Sequence, residues 1–189
     1  MRLSSDHLQA LGTLAAAIAA LIALFVAWDQ GRVMRADQHA SVWPAVQIET
    51  AYMINEDGRQ LTLGLVNDGI GPALIKHVSA SVDGTRLNNW EDLIRLQPEG
   101  LPLPGRWTAG AQGEILAAGE DVVLAQLSWG EDPAILTALD EYRRTVGRME
   151  LNVCFCSVYD RCWISAIGSQ QDFPQPVSQC PQSDQESNL

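Results

Sequence analysis

From Ala10 to Trp28 the chain carries no charged residue, and only Gly12 and Thr13 interrupt its apolar character. A helix rises about 1.5 Å per residue, so roughly 20 such residues cross a hydrocarbon core of about 30 Å. Residues 8–28 therefore predict a transmembrane helix, with Trp28 at the interface where an aromatic is favoured. A cleaved signal peptide is the rival reading. It needs a shorter apolar core and a small-x-small cleavage site, and bulky Phe25 spoils the site before Ala27. Cleavage after Ala17 or Ala19 stays open. Positive charges do not set the orientation: the N-terminal ammonium and Arg2 balance Arg32 and Arg35.

Within this segment Gly12, Ala16 and Ala20 recur every fourth residue, as do Ala15, Ala19 and Ala23. Small residues at that spacing let a second helix approach closely in lipid. They are candidate packing positions for self-association or another membrane protein. An alanine-rich composition explains them equally well; a coding bias is already suggested by Lys76, the one lysine among twelve basic residues.

The rest divides into a short N-terminal flank (1–7), a juxtamembrane helix or linker (29–44), one folded domain (45–169) and a polar tail (170–189). The domain is long enough for one hydrophobic core and too short for two. A net charge of −11 leaves no basic face for nucleic acid and disfavours docking on anionic lipid.

Alternation organises the domain. Val46, Ile48, Tyr52 and Ile54 predict one strand face, and Leu61, Leu63 and Leu65 the next, joined at Asn55-Glu56-Asp57-Gly58 into a hairpin. After Asn67-Asp68-Gly69-Ile70-Gly71-Pro72-Ala73, a third strand presents Leu74, Val78, Ala80 and Val82. It ends at the turn pair Asp83-Gly84. No Lys-Ser/Thr and no helix start follow the glycines, so the loop lacks the parts of a phosphate cradle. Asn88-Asn89 predicts the cap of a short helix to Leu96, with Trp90, Leu93 and Ile94 buried. Residues 98–113 read as an irregular, proline-rich loop. Glu114 to Ala117 and Val122 to Trp129 predict two more strands. A second helix is capped by Asp132, carries Ile135, Leu136, Leu139 and Tyr142 as its stripe and stops at Gly147.

In the last hairpin Met149, Leu151, Val153 and Phe155 point to the core and Cys154 and Cys156 away from it. Pairing Phe155 with Trp163 sets Cys156 opposite Cys162, at the Cα spacing a disulfide needs. Cys180 then folds back to Cys154. An even count suits an oxidising compartment, hence a periplasmic domain on the inner membrane. The alternative is a zinc site on Cys154, Cys156, Cys162 and Cys180, or on three of them with His77. Beyond Cys180, residues 170–189 have the composition of a disordered tail.

Many short strands, regular turn signals and two connecting helices predict a mainly β fold, a sandwich preceded by one transmembrane helix. Leu65-Val66-Asn67-Asp68-Gly69 with Pro72-Ala73 and Val78 to Gly84 resembles the strand–turn–strand signature of immunoglobulin-like bacterial surface domains. Leu116-Ala117-Ala118-Gly119-Glu120 is similar to their later turn, with alanine replacing a proline. More closely, the chain resembles uncharacterised bacterial single-pass proteins. These join an N-terminal anchor to an Asn-x-Gly-x-Gly-Pro-Ala domain and a Cys-x-Cys-Ser hairpin. The resemblance implies an immunoglobulin-like sandwich and carries no activity with it.

No nucleophile and base are placed for catalysis. His77 beside Ser79 mimics a Ser-His pair, but the two are equally a polar strand face. Trp107, in the 98–113 loop, is a candidate contact residue. The expectation is a membrane-anchored interaction or structural module of the cell envelope, without catalysis or cofactor. Its partners are the membrane and an envelope or membrane protein. A metal- or redox-linked accessory domain is the alternative.

Overall fold

The computed structural model describes residues 5–55, 58–167, 173–182 and 189. It divides into two units, Met1–Ser41 and Val42–Leu189. The expected turn at residues 56–57, Arg2, and most of the 170–189 tail lie outside the described residues.

The first unit is one helix, α1 (Ser5–Ala40). It is long and apolar enough to cross a membrane, and none of its apolar window is buried within the chain. Leu11, Leu21, Leu24 and Phe25 all stand exposed, an arrangement that water penalises and lipid does not. At 36 residues it runs about 54 Å, so the polar stretch after Trp28 prolongs it well past a hydrocarbon core. Arg32 lies over the Trp28 ring at 5.7 Å.

The second unit is a β-sandwich of two antiparallel sheets. Its strands are β1 (Val46–Asn55), β2 (Gly58–Asn67), β3 (Ala73–Val82) and β4 (Thr85–Leu87). After the short helix α2 (Asp92–Arg95) come β5 (Gly105–Thr108), β6 (Ile115–Leu116) and β7 (Asp121–Trp129). A single 3₁₀ turn, Pro133–Ile135, leads into α3 (Leu136–Val146), followed by β8 (Met149–Cys156), β9 (Cys162–Ile167) and β10 (Gln175–Val177). One sheet has the order β1-β2-β7-β5; the other runs β10-β9-β8-β3-β4, with β6 pairing β3. Between them Leu63, Leu65, Leu124 and Leu127 meet Val78, Ala80, Leu151, Val153 and Phe155 in one buried cluster. Helix α3 adds Leu139, Tyr142 and Val146, with Tyr142 edge-on to Trp129 at 5.7 Å.

The caps form as the residue types require. Asp132 accepts the Ala134 N–H at 2.9 Å. Asn89 Oδ1 accepts the Asp92 N–H at 3.1 Å, while Asp92 Oδ2 accepts from Asn88 at 2.8 Å, a reciprocal cap.

Four expectations need correction. In β3 the pairing with β8 shifts between Ile75 and His77, so Ile75 and not Leu74 joins the core. A bulge inserts one residue and swaps the faces on either side of it. The 98–113 loop contains β5, an edge strand paired to β7 from Gly105↔Ser128 to Thr108↔Ala125. The polar tail contains β10, paired to β9. Leu136 lies on the exposed side of α3, because the 3₁₀ turn before it rotates the stripe.

The domain is closed at the point where the chain leaves α1. Asn67 is fully buried and its side chain ties together five main-chain groups. Its Oδ1 accepts from the N–H of Ala45 and of Gly69, each at 3.1 Å. Its Nδ2 donates to Gly71 O at 2.9 Å and to Leu116 O and Ala117 O at 3.1 Å. Ile70 N–H reaches Trp43 O at 3.0 Å and Asp68 N–H reaches Ala45 O at 3.0 Å. A Cβ on Gly69 or Gly71 would collide with the backbone of Val42 to Ala45, which explains glycine at both positions. Glu120 closes the neighbouring turn by accepting the Ala117 N–H at 2.7 Å.

Candidate functional site

Three places could carry function: the cysteine face of the larger sheet, the polar concavity beside it, and the open edge of the smaller sheet.

On β8 strict alternation puts Leu151, Val153 and Phe155 inward and Cys154 and Cys156 on the opposite face. The hairpin register is the one expected from sequence: Phe155↔Trp163 and Cys156↔Cys162. Phe155 and Trp163 stack at 6.1 Å and fix that register by packing. Disulfides join Cys156 to Cys162, with Cα atoms 4.0 Å apart, and Cys154 to Cys180, with Cα atoms 5.6 Å apart. Cys154 and Cys156 are 2% and 3% exposed, although they face away from the core.

The C-terminal segment covers them. Val177 pairs with Cys162 at the outer edge of β9, Cys180 is bonded to Cys154 on β8, and Pro181 and Gln182 lie beside His77 and Ser79 of β3. The segment thus crosses three strands as a strap. The sulfurs beneath it are crowded. Cys156 Sγ lies 3.7 Å from Cys180 Sγ, and the Sγ atoms of Cys156, Cys162 and Cys180 fall within 4.8 Å of one another. That crowding is the arrangement a metal cluster would use. Zinc binds thiolates, which the bridged form does not offer.

The strap, β3, β4 and β8 border a concavity of about 470 Å³ lined by His77, Ser79, Ser81, Arg86, Glu150 and Asn152. His77 lies opposite Cys154 and Ser79 opposite Asn152 across the β3–β8 ladder. The lining is a polar strand face with one residue of each charge. It sets an imidazole beside the hydroxyls of Ser79 and Ser81.

The smaller sheet ends in β1, a ten-residue strand that pairs with β2 along its whole length and has no strand on its other side among the described residues. Edge strands are commonly protected by lysine, proline, a bulge or shortness. In β1 there is none of these, and its one charge is Glu49. Its first residues are covered, with Val46 buried and its carbonyl accepting from Ser165 Oγ of β9, so the open part of the edge begins beyond Ile48. Ile54, expected on the apolar face with Val46, Ile48 and Tyr52, stands exposed at its far end, and so does Met53 on the other face. Beside it runs a groove of about 320 Å³. Thr50, Ala51 and Tyr52 form one wall, Arg143, Val146 and Gly147 the other, and Leu61, Met149 and Ile167 complete the lining. The Arg143 guanidinium lies 4.0 Å from the centre of the Tyr52 ring.

Trp107 is half exposed, on the edge strand β5 and not in a loop. Gly12, Ala15, Ala16, Ala19, Ala20 and Ala23 are all exposed on α1. Sequence reasoning missed Asn67 as an organising residue, the β1 edge and the strap. The composition of the tail concealed the last of these, and Cys180 was its one signal.

No protein-family model matches the chain, and no curated protein or solved structure is significantly similar to it.

Proposed function

We propose that the protein is a membrane-anchored interaction module of the bacterial cell envelope, with no catalysis of its own. In this reading α1 is a retained signal-anchor in the inner membrane and the domain is an immunoglobulin-like sandwich on the periplasmic side. Two disulfides support an oxidising compartment. The observation that carries the interaction reading is the open β1 edge with its adjoining groove. The occupant that fits is an extended segment of a second membrane or envelope protein. Its main chain would continue the β1 ladder, and alternate apolar side chains would enter the groove against Leu61, Met149 and Ile167. Arg143 at the rim favours an acidic residue in that segment.

The test is a photo-cross-linking residue at Met53 in the full chain in its native membrane, with Ser79 as a control site on the other sheet. The expected result is a discrete adduct from Met53 alone. It should disappear when Ala51→Lys places an edge charge beside the site while the chain still folds. Equal adducts from both sites, or an adduct indifferent to Ala51→Lys, would refute strand addition. A cytoplasm-only reporter active at the C terminus would refute the orientation.

A second reading, a zinc-linked accessory domain, draws on the convergence of Cys156, Cys162 and Cys180. It requires four free thiols and one bound zinc in the purified full chain.

A further inference from the structure

We propose that the two disulfides form one exchange unit, in which Cys180 receives electrons from an external dithiol and passes them inward through Cys156. The proposal rests on two observations independent of the β1 edge. The first is contact: Cys156 Sγ and Cys180 Sγ belong to different bridges yet lie 3.7 Å apart. That is the separation from which a thiolate attacks a neighbouring disulfide without backbone motion. The second is access. Cys154, Cys156 and Cys162 are buried, whereas Cys180, on the strap, is half-buried. An external thiolate therefore meets Cys180 before any other sulfur.

The chemistry balances as follows. A dithiol attacks Cys180, expels the Cys154 thiolate and forms a mixed disulfide. Its second thiol then attacks the mixed disulfide, leaving as a cyclic disulfide and freeing the Cys180 thiolate. That thiolate attacks Cys156, forming a Cys156–Cys180 bond and expelling Cys162. The protein has gained two electrons and two protons, held as thiols at Cys154 and Cys162; the dithiol has been oxidised to its disulfide. One bridge remains, and it is non-native. The strap's attachment on β8 thereby passes from Cys154, opposite His77, to Cys156, opposite Leu74.

The test is partial reduction of the full chain in detergent with one equivalent of dithiothreitol. Acid quenching, alkylation of free thiols and peptide mapping follow. The expected two-electron species has Cys154 and Cys162 alkylated together and a Cys156–Cys180 linkage. A two-electron pool holding only native bridges, with either Cys154 and Cys180 or Cys156 and Cys162 alkylated, overturns the proposal. Two variants test it without reductant. Cys154→Ser should yield the Cys156–Cys180 bridge and a free Cys162 thiol; a free Cys180 beside an intact Cys156–Cys162 bridge overturns it. Cys180→Ser should keep the Cys156–Cys162 bridge with Cys154 free. Scrambling there would show unselective exchange and overturn the assigned order.

Discussion

The sandwich is fastened at both ends of its chain, by opposite means. Where the chain leaves α1, Val42 to Ala45 are held on the Asn67 loop by hydrogen bonds and by the bare backbones of Gly69 and Gly71. Where the chain ends, the strap is held by a three-residue strand and a covalent bond to Cys154. The first fastening is buried, polar and indifferent to redox conditions. The second is peripheral and partly covalent, so it weakens when Cys180 is released. The connection next to α1 is thus independent of redox state, and the one that covers the cysteine face is not.

The largest effect should come from breaking the first fastening. Asn67→Ala removes the side-chain partner of the Ala45 and Gly69 N–H and of the Gly71 and Leu116 carbonyls, while Ala117 O keeps the Glu120 N–H. Each unsatisfied group costs about 1–3 kcal/mol, partly relieved by water. A loss on the order of 4 kcal/mol or more is expected in urea unfolding of the full chain in detergent. Asn67→Asp separates the two halves of the network, since it keeps the acceptor toward Ala45 and Gly69 but loses the donor toward Gly71, Leu116 and Ala117. If Asn67→Asp is as stable as the wild type, the donated bonds do not hold the loop.

Breaking the second fastening should cost less and act locally. The bridge spans a sequence separation of 26, for which loop-closure entropy gives about 3 kcal/mol. In Cys180→Ser, amide exchange should accelerate in β10 and stay slow in β2 and β7. Uniform acceleration would mean that the strap supports the whole core and that the contrast between the two fastenings fails.

Much of this architecture was legible in the residues. The Phe155–Trp163 pair fixed the register of the last hairpin, so the Cys156–Cys162 bridge could be read from one strand pairing. The helix caps were equally local. What escaped was non-local or lightly buried. A bulge near Lys76 re-phases β3, and no alternation pattern announces it. The edge strands β5 and β10 bury almost no side chain, so their sequences carry no period; hydrogen bonding alone defines them. Asn67 looks like any turn asparagine until residues 45, 71, 116 and 117 converge on it.

Tyr142 belongs to neither fastening and offers a control of intermediate size. Its hydroxyl donates to Leu93 O at 2.9 Å inside the core, and burial pushes its pKa above the usual tyrosine value. Tyr142→Phe removes that bond but leaves Leu93 O the Leu96 N–H, and should cost about 1 kcal/mol, with the strap and the Asn67 loop equally unaffected. The raised pKa has a definite sign. The buried phenol's contribution is fully present below the unfolded value of about 10 and is lost as pH rises above it. Alkaline unfolding should therefore begin at higher pH in Tyr142→Phe than its lower neutral-pH stability suggests.

The smallest effect tests whether surface charge adds anything to either fastening. Arg148 donates to both carboxylate oxygens of Asp83, at 2.8 and 2.9 Å, joining the β3–β4 turn to the start of β8. Those hydrogen bonds hold the Asp83 carboxyl below its ordinary value, with the nearby positive charge acting in the same direction and desolvation opposing both. A depressed pKa stabilises the fold above the unfolded value of about 3.9, and the benefit disappears as pH falls through the folded value. Both groups are solvated, so the gain is small and screened by salt. Asp83 has φ 50°, a conformation asparagine tolerates well, so Asp83→Asn removes the charge without straining the turn. At neutral pH and low salt the variant should melt slightly below the wild type. The gap should close below pH 4 and in molar salt. A gap that persists at low pH would trace the loss to turn geometry. The pair would then be a third fastening and not a surface contact.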